Sequence, residues 1–194
     1  MSSPRDADPR PSFLRAIDQL EGLVGRVTPE QLAAPTVLPG WDTRTLVSHI
    51  VRDIHRIAYV GEGGRGRDVP AQAGNIADTD WAGAVARARS RAAAAWADDA
   101  KLGQTYTVAW GEATGAMALR GLVTELATHT WDLAQSVDPA ADLDAELGAI
   151  ALETAREIAP ADRRGGSGAY GAIQPVPAGA GVYDQLAGWL GRKV

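Results

Sequence analysis

The chain has no cysteine, one phenylalanine, two methionines and only three histidines in 194 residues. Without cysteine there is no disulfide, no thiolate nucleophile and no Cys-type zinc site. Any metal site must be drawn from imidazoles and carboxylates, and any thiol chemistry needs a sulfur from outside. Long apolar runs are also missing: nothing approaches the about 18 consecutive apolar residues of a membrane span. The N-terminal "MSSPRDADPRPS" has no apolar core of a secretion signal, so a cytoplasmic location is the expectation. A surplus of basic charge is lacking as well. The formal net charge is −5, which speaks against a nucleic-acid backbone or an anionic membrane as partner.

What is present reads as one folded domain over residues 1–194, with residues 1–10 expected to be disordered. Apolar residues make up 45% and charged residues 22%, ordinary values for a globular chain. The dominant period is helical. Phe13, Leu14, Ile17, Leu20, Leu23 and Val24 recur at spacings of three and four behind Pro11, which predicts a first long helix. The "TPEQLAAP" stretch predicts a single turn capped by Thr28 and stopped by Pro35. After the "LPGW" turn, Asp42 or Thr43 caps a second long helix running to about Val60, with glycines behind it. A third runs from about Thr79 to Asp98. "QTYTVAW" alternates in strand fashion, and a fourth long helix, "ATGAMALRGLVTELATHTWDLAQSV", follows before Pro139. "LDAELGAIALETAREIA" predicts a fifth helix, residues 161–180 a long Gly/Pro-rich loop, and "VYDQLAGWLG" a short closing helix. The expected fold is therefore all-α: a four-helix bundle with additional short helices, whose sites lie between helices.

Within "ELATHTWDLA", Glu125 and His129 stand four residues apart. At about 100° per residue they lie roughly 40° apart on the helix, at the edge of the apolar arc formed by Leu119, Leu122, Val123, Leu126, Leu133 and Val137. On the second helix His49 borders the arc of Leu46, Val47, Ile50, Ile54 and Ile57, with Asp53 one turn later. His55 projects away from that arc and reads as solvent-facing. If the two helices are neighbours, His49, Glu125 and His129 can converge, and two imidazoles with a carboxylate suit Zn²⁺ or another divalent transition metal with a position left open.

Each residue also has an ordinary reading. An E-x-x-x-H pair is common on helix surfaces, where Glu pairs with His or Arg, and a lone histidine such as His49 is usually a hydrogen-bonded rim residue. Asp53 reads first as a solvated carboxylate, then as a further ligand closing the site or an acceptor for an imidazole N–H. Asp132 carries the same ambiguity. Ser48 lies on a different helical face from His49 and makes no dyad with it. "GEGGRGR" at 61–67 and "RRGGSG" at 163–168 lack the strand and the Lys-Ser/Thr of a phosphate loop and read as linkers. Trp41 and Trp131 are close enough in sequence to the candidate ligands to wall a pocket.

"LPGWDTRTLVSHIVRD" followed by "LVTELATHTWDLAQSV" resembles the metal-binding domain of the mycothiol-dependent maleylpyruvate isomerase family, within the DinB-like superfamily of up-down four-helix bundles. The closing "YGAIQPVPAGAGVYDQLAGWLGRK" resembles a single-domain actinobacterial branch of it. The resemblance implies a divalent metal, most commonly zinc, on His49, Glu125 and His129, with mycothiol as cosubstrate whose sulfur the metal would activate. It implies small-molecule chemistry by a thiol-dependent transferase or isomerase, in a monomer or homodimer. The isomerase carries a second domain that supplies a basic residue, and only a loop and one short helix follow the bundle here, so the expected reaction differs from maleylpyruvate isomerisation. A non-catalytic metal- or ligand-binding regulatory protein, its site closed by Asp53, is the alternative.

Overall fold

A computed structural model describes residues 7–71, 73–163 and 170–194. Four long helices form the bundle: α1 (Arg10–Val24), α2 (Thr43–Gly61), α3 (Trp81–Ala95) and, after the single turn α4 (Ala100–Gly103) and the hairpin β1 (Thr105–Val108) and β2 (Gly111–Thr114), α5 (Gly115–Val137). α2 packs on α3 and α5, and α1 on α5 and α3, closing a ring around Phe13, Ile17, Leu20, Leu46, Ile50, Ile54, Leu119, Leu126 and Leu133, all buried. Burying an aliphatic or aromatic side chain of this size contributes about 1.5–3 kcal/mol, and the three-four spacing puts these residues on one face of each helix. α6 (Ala145–Ile158) and α7 (Val182–Trp189) lie against the other side of α5. There Trp131, Leu152, Tyr183 and Leu186 form a second apolar cluster.

The expected all-α bundle is the observed one, with boundaries shifted where side chains intervene. Asp42, rather than Thr43, caps α2, its side chain accepting from Thr45 N at 2.8 Å. The third helix ends at Ala95 because Trp96 is drawn into the core, its indole donating to Ile57 O at 2.9 Å. Gly61 makes room for that ring: a Cβ there would lie 2.8 Å from it. The lone expected strand is half of a hairpin. Thr105 pairs with Thr114 and Val108 with Gly111, and Gly111, at φ +141°, supplies the left-handed turn that side-chain-bearing residues avoid. The second strand, "GEAT", carries no apolar alternation that would have marked it. Of the expected disordered start, residues 1–6 lie outside the described ones; Asp8 and Arg10 pair at 2.7 Å where α1 begins. "GEGGRGR" ends α2 and enters a short 3-10 turn, Gly66–Asp68, whereas Gly165, Gly166 and Gly168 of "RRGGSG" lie outside the described residues. No helix among the described residues is long and apolar enough to cross a membrane.

Candidate metal centre

The contact between α2 and α5 brings the expected histidines together. Their rings stand edge to face with centroids 5.0 Å apart. The "LPGW" turn, held by Thr36 N donating to Trp41 O at 2.9 Å with Gly40 at φ +78°, sets Trp41 edge-on against His49 at 4.9 Å. Asp53 joins them: donor atoms of His49, Asp53 and His129 lie within 4.8 Å of one another. His49 Nε2 is 2.9 Å from Asp53 Oδ2. Glu125 stands at the rim, its Oε2 3.6 Å from His129 Nε2 and its side chain 37% exposed. All of the expected ligands thus reach one locality, but the tightest group contains Asp53 where the sequence pointed to Glu125. The reading of Asp53 as a solvated carboxylate does not hold, since it is buried. His55 is also not solvent-facing. It is half-buried, its Nδ1 has no hydrogen-bond partner among the described residues, and burial, with Arg91 and Arg87 nearby, lowers its pKa.

His129 is oriented from behind. Its Nδ1 lies 2.9 Å from Asp132 Oδ2, and Asp132, fully buried, also accepts from Arg192 Nη2 at 3.0 Å and Nε at 3.2 Å. Burial alone would lower the His129 pKa, but the hydrogen bond and charge of Asp132, with Glu125 nearby, raise it. Burial likewise pushes the Asp132 carboxyl up, and His129 and Arg192 outweigh it to leave the pKa lowered. With Nδ1–H directed at Asp132, the neutral imidazole presents its Nε2 lone pair toward His49 and Glu125, the arrangement by which carboxylates fix histidine ligands.

Arg52 was not marked by the sequence, yet its buried guanidinium lies inside the cluster. Its Nη2 donates to His49 Nδ1 at 2.5 Å, and its Nη1 is 2.7 Å from Asp53 Oδ1 at an angle that makes no hydrogen bond, leaving Nη1 and Nε without one among the described residues. Burial lowers the Arg52 pKa, and the charge of Arg56 adds to that. The Asp53 carboxyl, which burial would push up, is held down by His49, Arg52 and His129.

The donor set fits a divalent cation. Metal–donor bonds of about 2.0–2.2 Å in tetrahedral geometry place donors about 3.3–3.6 Å apart, so a spread of up to 4.8 Å closes with side-chain shifts totalling about 1.5 Å. Two imidazoles and two carboxylates are also the right chemistry for zinc or its neighbours. Ligation through His49 Nε2 requires one rearrangement: in the present contact Nδ1 accepts from Arg52, which puts the proton on Nε2, so Arg52 must turn aside for the tautomer to reverse. Beside the cluster opens a cavity of about 510 Å³, with Asp53 and Glu125 in its lining. Trp131, by contrast, belongs to the second apolar cluster, its indole donating to Asp184 Oδ1 at 2.9 Å. Of these two tryptophans, Trp41 is the one against the cluster.

Residues 13–134, which hold the whole cluster, match the family described as the mycothiol maleylpyruvate isomerase N-terminal domain. The chain belongs to this family. Two proteins of Mycobacterium tuberculosis, from two strains and described as uncharacterized, are each 30% identical over 190 residues, 96% of this chain and 99% of theirs. Crystal structures of the mycothiol-dependent maleylpyruvate isomerase and of a histidine-to-alanine mutant of it superpose with TM-scores of 0.60 and 0.62. They share 15% and 13% identity with this chain, and each likeness covers 81% of this chain and 72% of the other. At that identity the likeness to the two isomerase structures is one of fold. Arg192, which steadies Asp132, lies beyond the residues matched to the isomerase N-terminal domain family. No local pattern could have found it, because its partner is 60 positions earlier in the chain.

Proposed function

We propose that the chain is a divalent-metal protein, its donors suited to zinc, that uses a low-molecular-weight thiol such as mycothiol in transferase or isomerase chemistry on a small electrophile. The observation that carries this reading is the placement of His49, Asp53 and His129 within coordination reach, with His129 already turned by Asp132 to offer Nε2. His49, Glu125 and His129 would hold the ion, with Asp53 left outside the shell so that a position stays open. The ion, when bound, supplies Lewis acidity that lowers the pKa of a thiol sulfur reaching the open position.

The protein's own residues do the remaining work. Asp132 keeps the His129 proton on Nδ1. Trp41 shields His49 from water on one side, and Arg52, once released from His49, offers a buried cation that stabilises an anionic thiolate or developing oxyanion. The thiolate would add to an electrophilic carbon. Expulsion of a leaving group then gives transfer, and rotation followed by loss of the thiol gives isomerisation. Membership of the isomerase family supports the thiol, and a cysteine-free chain needs the borrowed sulfur.

The second reading is a non-catalytic metal site, and the 2.9 Å approach of Asp53 to His49 favours it specifically, because a ligating Asp53 beside Glu125 leaves no open position. Elemental analysis of untagged protein with His49→Ala and His129→Ala tests the metal. Near-stoichiometric metal in the parent and its loss in both variants is expected, and full retention in both would remove the site. Thiol-dependent turnover of chlorodinitrobenzene then separates the readings, metal without turnover favouring the closed site.

A further inference from the structure

We infer that the cavity beside the cluster receives the uncharged aromatic body of the electrophile, held between the aliphatic side chains of α2 and α5 and the ring of Trp110, and that it discriminates against ionised counterparts of either sign. This names a substrate class for the site and rests on the reading of that site as reactive. The cavity, about 510 Å³, is of the size that encloses a small organic ligand. Its charged lining residues, Asp53, Arg56 and Glu125, belong to the end next to the histidines. From there the lining steps along α2 to Ile57 and Val60 and, in the opposite chain direction, along α5 to Leu122 and Met117. At 1.5 Å per residue the helix covers about 10 Å between Asp53 and Val60, which leaves room for a two-ring body beyond the charged end.

The walls set the charge of the ligand. The side chains of Ile57, Val60, Val108 and Leu122 offer nothing to replace the water that a carboxylate or an ammonium group sheds on entering, and burying an unpaired ion costs far more than burying a neutral group of the same size. The charged end does not make up for this. Arg56 is committed to Asp53, its Nη1 donating to Oδ1 at 3.3 Å, and its Nε is sealed from solvent. An anion reaching that end meets the carboxylates of Asp53 and Glu125, and a cation meets Arg56. A neutral apolar body escapes both penalties and gains by leaving water. Two side chains mark the mouth. Trp110 at the hairpin turn is 55% exposed and Ile158 at the end of α6 is 40% exposed, yet both line the cavity, so elements far apart in the chain hold large apolar groups in water at one opening. Trp110 rests on α5 because Gly121 has no side chain; a Cβ there would stand 3.0 Å from the indole. A ligand ring entering between the two covers both and meets the indole by stacking or edge contact.

Isothermal titration of the full chain, with its metal content measured in the same preparation, tests this with 1-naphthalenemethanol, 1-naphthoate and 1-naphthylmethylammonium, which share one ring system and differ in charge. The alcohol is expected to bind at least about tenfold more tightly than either ion, and Trp110→Ala should weaken it by about tenfold. Ile158→Ser should weaken it by about threefold. Both side chains are exposed, so neither change touches the core. Either ion binding as tightly as the alcohol, or alcohol affinity unchanged in both variants, overturns the proposal. In thiol-dependent turnover the alcohol should raise the KM for chlorodinitrobenzene and leave kcat unchanged; turnover untouched by saturating alcohol overturns it too. A protein that binds the alcohol with this ranking but holds no metal or turns nothing over sinks the reactive reading and leaves the preference of the cavity standing, whereas a metal-loaded, thiol-active protein that ignores the alcohol sinks this inference alone.

Discussion

Replacing Asp132 should destabilise the metal-free protein more than any other single carboxylate change at this site. Asp132 is fully buried and carries two partners, His129 at 2.9 Å and the Arg192 fork at 3.0 and 3.2 Å. Removing one member of a buried ion pair costs about 3–5 kcal/mol, because the remaining charge is left in a low-dielectric setting. Asp132→Ala should fall in that range. Arg192→Ala should cost less, about 1.5–3 kcal/mol, the magnitude of hydrogen bonds to a charged group, since Asp132 keeps His129 and the Arg192 side chain is already 18% exposed. Because the two residues share one contact, the double variant should be less destabilised than the sum by about 1–3 kcal/mol. Urea unfolding of the four proteins in chelator, with equal slopes as the check on two-state behaviour, measures all three numbers. Additive losses, or an Asp132→Ala loss below about 1 kcal/mol, would refute the claim that this triad braces His129.

The same triad sets a pH dependence in metal-free protein. The raised pKa of His129 contributes stability that is full below about 6.5, its unfolded value, and is lost as pH rises through the folded one; the lowered pKa of Asp132 contributes stability present above about 3.9 and lost as pH falls through its folded value. Urea midpoints should therefore decline on the alkaline side of about pH 6.5, and Asp132→Asn should flatten that decline. Gly61→Ala should destabilise by about 1–3 kcal/mol despite the better helix propensity of alanine, because its Cβ would stand 2.8 Å from the buried Trp96 ring and overpacking outweighs a propensity gain of at most about 1 kcal/mol; a stabilised variant would contradict it. Asp42→Ala, which removes the α2 cap, should cost about 1 kcal/mol by thermal or urea unfolding. Its effect on metal content should be small, because the cap lies two turns before His49.

Helical spacing made the bundle readable, since each long helix carries its own apolar stripe, and the same spacing placed His49, Glu125 and His129 at stripe edges facing one another. What the sequence could not rank was Asp53 against Glu125. Both sit one turn from a histidine, and which carboxylate turns inward depends on how α2 rolls against α5. The buried position of Arg52 was illegible for the same reason: an arginine between apolar helical positions looks solvated until its neighbour helix is in place. The strand β2 and the Asp132–Arg192 pair have no local signature, the first because a four-residue hairpin arm needs no apolar alternation, the second because it joins residues far apart in the chain.

Gly121, Glu125, His129 and Asp132 occupy successive turns of the one uninterrupted helix α5, so they behave as teeth on a single shaft. A one-residue insertion between Gly121 and His129 would spin everything downstream by about 100° and carry His129 away from His49, and one between His129 and Asp132 would part that pair, whereas extra residues near Ala140, beyond the shaft, would leave the phase untouched. Natural or designed length variation in proteins built on this plan should accordingly accumulate in the connections and be absent from that stretch of helix.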